Sequence, residues 1–326
     1  MTDSILVCGG AGYIGSHMVR LLVERGYEVV VLDNLSTGHR EAFENVKFVE
    51  ADVQDESALD AVFSEHRFNA VMHFCAKSLV GESVAEPLEY YRNNVSGTVS
   101  LVQAMLRKGV ERLVFSSTAA IFGEPVTESI GETHPMRPIN PYGRSKLMVE
   151  QMLADACDAA GLRAVCLRYF NAAGAALTGG IGESHEPETH LIPNVLRAAA
   201  GTGPGLKVFG TDFETPDGTC IRDYIHVDDL ARAHLDALEF MESEAGCHAF
   251  NLGNGQGFSV LEVIEAAGKV VGNPVPFEVA GRRPGDPAVL VASSALAGEK
   301  LGWVPSVPDL DDIIESAWRW HRDQRY

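Results

Sequence analysis

A chain of 326 residues, 46% of them apolar, is long enough for two domains of ordinary size and can bury a large core. Its 45 acidic against 26 basic residues leave a formal charge of −19, which argues against nucleic acid or an anionic membrane as partner, because those surfaces require a basic face. No apolar run reaches the roughly 20 residues of a membrane span, and Met1-Thr2-Asp3-Ser4 lacks the basic and apolar regions of a secretion signal, so a cytoplasmic protein is expected.

In chain order, apolar runs at Ile5–Cys8, Val29–Leu32, Val46–Val49, Ala70–Phe74, Leu113–Phe115 and Val165–Leu167 alternate with helix-period segments at Tyr13–Arg25, Ser57–Glu65, Leu88–Arg107 and Pro141–Ala160. Strands that are apolar throughout are buried on both faces by crossover helices, the pattern of an α/β doubly wound parallel sheet. After Asn171 the texture changes to Gly, Pro, Thr and acidic residues. Residues 1–172 are therefore expected to form a Rossmann domain. Residues 173–326 are expected to form a second, smaller α/β domain with helices near Ile192–Ala200, Val227–Met241, Ser259–Val271 and Leu310–His321, and a segment near 222–241 packing back on the first. The six cysteines, at 8, 75, 157, 166, 220 and 247, show no C-x-x-C spacing and read as buried free thiols.

Directly after the first strand stands Gly9-Gly10-Ala11-Gly12-Tyr13-Ile14-Gly15, and a helix follows. Glycines permit a tight turn and close approach of backbone to a pyrophosphate, and the helix N-terminus offers unpaired N–H groups. Asp33 ends the second strand about 20 residues on, where a carboxylate accepts from ribose hydroxyls and repels a 2′-phosphate, favouring NAD over NADP; Arg40 nearby works the other way. Asp52 and Val53, ending the third strand, are placed to meet an adenine.

Tyr142 and Lys146 are four residues apart in a helix and share one face. A phenol is a poor base at pH 7, but an ammonium about 6 Å away contributes roughly 3 kcal/mol at an effective dielectric of 20, about two pKa units, toward its ionised form. The pair follows Ser116-Ser117-Thr118, a hydroxyl cluster at the C-terminal end of the fifth strand, from which Thr118 can bond a reacting oxygen.

In this order the glycine turn, Asp33, Ser116-Ser117-Thr118 and Tyr142/Lys146 resemble the extended short-chain dehydrogenase/reductase superfamily. Cys8 through His17, Val80 through Ser83, Tyr90 through Asn94, Pro141 through Glu150, Leu167 through Asn171 and Arg222 through Val227 are similar to blocks of the UDP-glucose 4-epimerase family within it. The resemblance implies a retained NAD that takes a hydride from C4 of a UDP-hexose and returns it to the other face of the 4-keto sugar. Tyr142 would be the proton acceptor, with Lys146 holding the nicotinamide ribose. Positions matching cofactor contacts are Gly9, Gly12, Tyr13, Ile14, Gly15, Asp33, Asn34, Leu35, Ser36, Thr37, Gly38, Asp52, Val53, Phe74, Cys75, Ala76, Lys77, Ser78, Asn93, Thr118, Tyr142, Lys146 and Phe170. Thr118, Tyr142, Asn171, His190, Leu191, Lys207, Val208, Phe209, Arg222, Arg283, Asp286 and Leu290 match positions around the UDP-sugar, and a homodimer is implied as well.

Ser78, Phe122 and His190 stand where relatives carry lysine, tyrosine and asparagine. Dehydratases and decarboxylases on this scaffold carry a carboxylate after the catalytic threonine; Ala119-Ala120 stands there. A silent NAD-binding sensor could dispense with the tyrosine and lysine, and both are intact. An epimerase of another UDP-sugar, N-acetylated or uronic, stays open. His185, Glu186, Glu188 and His190 have metal-ligating side chains, but without H-E-x-x-H spacing no metal is expected.

Overall fold

The computed structural model describes residues 3–283 and 286–326. Its strands are β1 (Ser4–Cys8), β2 (Glu28–Asp33), β3 (Lys47–Glu50), β4 (Ala70–His73), β5 (Arg112–Thr118), β6 (Arg163–Tyr169), β7 (Asn171–Ala173), β8 (Leu206–Phe209), β9 (Ile221–His226), β10 (Gly246–Leu252), β11 (Gly257–Ser259), β12 (Phe277–Ala280) and β13 (Val289–Leu290). Its α-helices are α1 (Tyr13–Glu24), α2 (Glu56–Glu65), α3 (Val80–Ala85), α4 (Pro87–Tyr90), α5 (Gly97–Arg107), α6 (Pro141–Ala160), α7 (Leu191–Ala199), α8 (Val227–Ser243), α9 (Val260–Val271), α10 (Ala295–Leu301) and α11 (Leu310–Arg322).

Seven strands form one wholly parallel sheet in the order β10-β6-β5-β4-β1-β2-β3. Read from β3, the order reverses beside β1, which makes the crevice above β1 and β4 the topological switch point. Period-2 alternation sorts the side chains: Ile5 and Val7 face a layer holding Met18 and Leu22 of α1 with Leu235 and Leu238 of α8. Leu6 and Cys8 face Leu59, Leu101 and Leu153 on the other side.

The six anticipated strands are all present, and β10 is a seventh. Gly-Cys-His-Ala-Phe-Asn-Leu carries no continuous apolar run because it is an edge strand paired only with β6. The expected helix Leu88–Arg107 is also more broken than its periodicity suggests. Proline restricts the residue before it, so Glu86 (φ −127°, ψ 59°) separates α3 from α4. A π-helical turn, Tyr91–Ser96, then leads into α5.

A smaller assembly gathers β9 with β11, β13 and β7, beside the parallel pair β8 and β12. Its core packs Ile192, Val195 and Leu196 of α7, Val263 and Ile264 of α9, and Ile313 and Ile314 of α11 onto Val208 and Tyr224. Residues 227–252 return to the large sheet: α8 lies on α1, and β10 extends the edge at β6. Among the described residues no helix is long and apolar enough to cross a membrane.

Candidate active site

At the switch point the glycines are dictated by close backbone contacts. Gly9 has φ +79°, and a Cβ there would lie 2.5 Å from the Cys75 amide nitrogen; a Cβ on Gly15 would lie 2.1 Å from the Gly9 carbonyl oxygen. At Gly12, the N-cap of α1, the nearest heavy atom to an added Cβ is 3.4 Å away. No side chain caps this helix, so its first N–H groups face the open crevice. Tyr13 turns its ring away: its hydroxyl donates to the Gly174 carbonyl at 2.6 Å, leaving its backbone at the turn.

Asp33 is buried, and burial pushes its carboxyl up while the N–H groups of Ala11 (2.9 Å) and Leu35 (2.8 Å) hold and orient its oxygens. Leu35 adopts φ +55°, an unusual conformation for leucine, in making that contact. Asn34 donates to Asp52 at 2.9 Å, tying β2 to β3 beside buried Val53, while Ser36 and Thr37 are exposed and Gly38 packs on Ala11. Arg40 is engaged elsewhere, donating to the Phe43 carbonyl at 3.1 Å and lying over the Phe43 and Phe48 rings. An open helix N-terminus next to an oriented acid fits a dinucleotide with a free ribose.

Beyond β4, Phe74, Cys75, Ala76, Lys77 and Ser78 form the loop that leads toward α6. Phe74 stacks obliquely on His234, ring centres 4.7 Å apart. Lys77 donates to Glu82 at 3.2 Å, and exposed Ser78 makes no such contact. Asn94, 1% exposed and not singled out by sequence, is the joint: its side chain accepts the Lys77 amide (2.9 Å) and donates to the Lys77 carbonyl (3.0 Å) and the Ser145 hydroxyl (2.9 Å). It also accepts from Asn93 at 2.9 Å. The π-turn brings both asparagines between the loop and α6.

The start of α6 is fixed by Pro141 and by the Asn140 side chain, which accepts the Gly143 N–H at 2.8 Å. Gly143 is obligatory for another reason: a Cβ would sit 2.4 Å from the Ala120 carbonyl oxygen, where the helix presses against the turn after Thr118. Below it, Glu150 accepts from Arg168 (2.6 Å) and from Ser117 (2.5 Å), a buried network joining α6, β6 and β5. Sequence reasoning missed the Glu150 network and the Gly143–Ala120 contact, whose partners are distant along the chain.

Burial raises the Tyr142 phenol above its ordinary pKa, and the Thr118 hydroxyl beside it works in the opposite direction. Lys146 is itself buried and lowered to about 8 by desolvation; its ammonium donates to the Ser116 carbonyl at 2.7 Å and lies over the Phe115 ring. Burial thus works against the ionisation expected of Tyr142 in the absence of a bound nicotinamide. Phe170, Phe122 and Leu290 pack in one small cluster with Ile121 and Ile130.

In the smaller assembly, Arg222 pairs with Asp286 at 2.5 Å, and the Arg283 guanidinium lies 4.0 Å over the Phe209 ring. Leu290 sits in register opposite Arg222. Asn171 donates to the Asp223 carbonyl at 2.8 Å, and Leu191 opens α7 after His190. Of the neighbouring anticipated positions, Val208 is 1% exposed in the core under α7 and α9, and Lys207 projects outward from β8. Strand alternation, invisible before β8 was located, puts Val208 on the face opposite Phe209 and leaves Lys207 on the same face as Phe209. Although no metal was expected, Glu183, His185, Glu188 and His190 converge, with donor atoms all within 4.8 Å of one another.

This fold, with a glycine turn, an acid after β2 and a Tyr/Lys helix beside a threonine, defines an NAD-dependent enzyme of the extended short-chain dehydrogenase class. The sequence pattern of the NAD dependent epimerase/dehydratase family matches residues 5–253. The UDP-glucose 4-epimerase of Halalkalibacterium halodurans is 54% identical over 320 residues, 98% of this chain and 96% of that protein. The structure of UDP-glucose 4-epimerase from Brucella ovis in complex with NAD superposes with a TM-score of 0.95 at 51% identity, covering 97% of this chain and 98% of the other. That of the Bifidobacterium longum enzyme in complex with NAD+ and UDP gives 0.94 at 38% identity, covering 99% of both. The chain belongs to the NAD dependent epimerase/dehydratase family, and within it to the UDP-glucose 4-epimerases.

Proposed function

We propose that this chain interconverts UDP-glucose and UDP-galactose at a retained NAD, with Tyr142 as general base and acid. The observation that carries the reading is the meeting of Tyr142, Thr118 and Lys146 at the C-terminal end of β5, beside the uncapped start of α1. When bound, NAD supplies the hydride acceptor and donor that takes the sugar through a transient 4-keto form. The N–H groups at Tyr13, Ile14 and Gly15 would hold the pyrophosphate, Asp33 would take the ribose hydroxyls, and Asn34, Asp52 and Val53 would border the adenine. Lys146, seated on the Ser116 carbonyl, would bond the nicotinamide ribose.

Thr118 positions the 4-hydroxyl, and Tyr142 removes its proton and later returns it. Low local polarity keeps this proton transfer away from solvent, at the cost of raising the phenol. The positive charges of Lys146 and of a bound nicotinamide would both favour the phenolate. Arg222 and Arg283 supply the charge that a UDP pyrophosphate requires in so acidic a protein, and Phe209, Leu191 and Asn171 enclose the nucleotide. Leu290 faces the 2-substituent of the hexose, as supported by its place in the Phe122/Phe170 cluster. The chain acts as a homodimer, a reading supported by exposed Val80, Val84 and Leu88 on α3 and α4, beside Met148 on α6.

The test is incubation of purified protein with UDP-galactose and no added NAD, followed by chromatographic separation of the UDP-hexoses. UDP-glucose should form without NADH appearing in solution, and denaturation should then release a nicotinamide dinucleotide. Stoichiometric release of NADH during turnover would identify a simple dehydrogenase instead.

A further inference from the structure

We propose that Glu183, His185, Glu188 and His190 form a structural site for one divalent transition metal of the zinc class, separate from the Tyr142 centre. The spacing E-x-H-x-x-E-x-H belongs to no familiar metal motif, so convergence of the side chains is the first sign of it. Four donor atoms from one loop, two imidazole nitrogens and two carboxylate oxygens, all lie within 4.8 Å of one another. His185 Nδ1 is 3.1 Å from Glu183 Oε1 and 3.8 Å from Glu188 Oε1, and His190 Nδ1 turns onto the same Glu183 oxygen. A tetrahedral ion with bonds of about 2.0–2.2 Å separates its ligand atoms by roughly 3.3–3.6 Å, so these distances bracket the needed geometry.

The surroundings are those of a closed, orienting site. The two carboxylates are nearly inaccessible, with side-chain exposures of 6% for Glu183 and 1% for Glu188, whereas half-exposed His190 leaves an entry path. Glu188 is aimed by the N–H groups of Thr189 (2.8 Å) and His190 (2.9 Å), which its Oε1 accepts. The Glu183 carbonyl accepts from Trp320 Nε1 of α11 at 2.7 Å, and the His185 ring meets Tyr13 of α1 edge-on at 6.4 Å. Two imidazoles and two carboxylates suit zinc better than magnesium or calcium, which prefer all-oxygen shells. Four protein ligands leave no position for substrate, so the ion closes the loop between β7 and α7 on itself, and Trp320 of α11 and Tyr13 of α1 pack against the closed loop. His190 then serves the ion through its ring, leaving Leu191 to the nucleotide.

The experiment uses full-length, tag-free protein stripped with chelator and dialysed, then titrated with Zn2+ alone and, separately, with Co2+. One equivalent per chain should bind, and Co2+ should give the intense visible absorption of a tetrahedral ion. Glu183→Gln and His190→Gln should each weaken binding by at least about 100-fold, beyond the 10–100-fold typical of losing an outer-shell partner. The second alters a half-exposed ring, where folding is not at stake. Glu186→Gln, an exposed neighbour outside the cluster, should bind like the unaltered protein. Failure of the unaltered chain to take up a stoichiometric ion would overturn the proposal, leaving four hydrogen-bonded side chains. Equal binding by His190→Gln would overturn it too, placing the ion elsewhere.

Discussion

The turn at the start of α1 and the arms around Arg222 hold phosphate groups by opposite means in this reading. At the turn the work is done by backbone: Gly9 and Gly15 have no room for a Cβ, and the helix end is left uncapped. At the arms it is done by side chains on short strands and connecting loops, with Arg222 on Asp286 and Arg283 on Phe209. A backbone site tolerates almost no change at its glycines, because the obstacle is another main chain. A side-chain site can be retuned one residue at a time.

The largest expected effect is on the chemistry that both regions serve. Tyr142→Phe should keep bound dinucleotide and UDP affinity while turnover falls on the order of 10²–10⁴-fold. Single-turnover kinetics beside a UDP titration would check this, and turnover near normal would remove Tyr142 from its role.

Acid should attack the large-sheet side through two buried histidines. His17 on α1 and His234 on α8 each donate Nδ1–H to a carbonyl one turn back, leave Nε2 without a partner, and are lowered to about 4 by burial. A histidine depressed in the folded state contributes stability that is present above its unfolded pKa of about 6.5 and is lost as pH falls toward 4. At 1.36 kcal/mol per pKa unit this amounts to about 3 kcal/mol for each. Denaturant midpoints should drop between pH 7 and pH 4.5, and His234→Leu should reduce the drop. An unaltered pH dependence in that variant would exclude His234 as a cause.

The two glycine positions at the turn sharpen the contrast. Gly15→Ala should destabilise the protein by about 1–3 kcal/mol, because the clash is with the Gly9 carbonyl. Gly12→Ala should melt normally yet retain less dinucleotide, since its methyl would stand where a phosphate must approach. Equal melting temperatures and equal cofactor content in the two variants would remove the distinction.

The smallest effect belongs to the arms. Leu290 should give a preference for UDP-glucose and UDP-galactose over their N-acetyl forms, with Leu290→Ser widening and Leu290→Tyr narrowing the choice. A hydrophobic pocket discriminates by about 1–3 kcal/mol per methylene-sized change, so kcat/KM ratios should shift without becoming absolute. Identical ratios across all three proteins would place Leu290 outside the site.

The same division explains what could be read from sequence. Glycines at fixed spacing report backbone conformation locally, and six apolar runs report strands buried on both faces, so the turn, Asp33 and most of the sheet were legible. Edge strand β10 was not, because half of its environment is solvent and its pattern is correspondingly mixed. Asn94 joins residues 17 and 51 positions away, and Glu150 meets a serine and an arginine on separate strands. Such pairings have no local signature. The burial of Tyr142 and Lys146 was hidden for a related reason: sequence spacing gives the distance between them but says nothing about the desolvation that raises one and lowers the other.

The return of the chain to its first sheet has a practical meaning for anyone who would cut or recombine it. A fragment ending at residue 172 would present the backbone of β6 as a bare edge, unguarded by β10, and would uncover the apolar face of α1 on which α8 rests. Exposed edges and patches of that kind recruit other chains. The dinucleotide half is therefore no detachable cassette, and grafts that exchange substrate preference must carry residues 227–252 unchanged or replace loops singly.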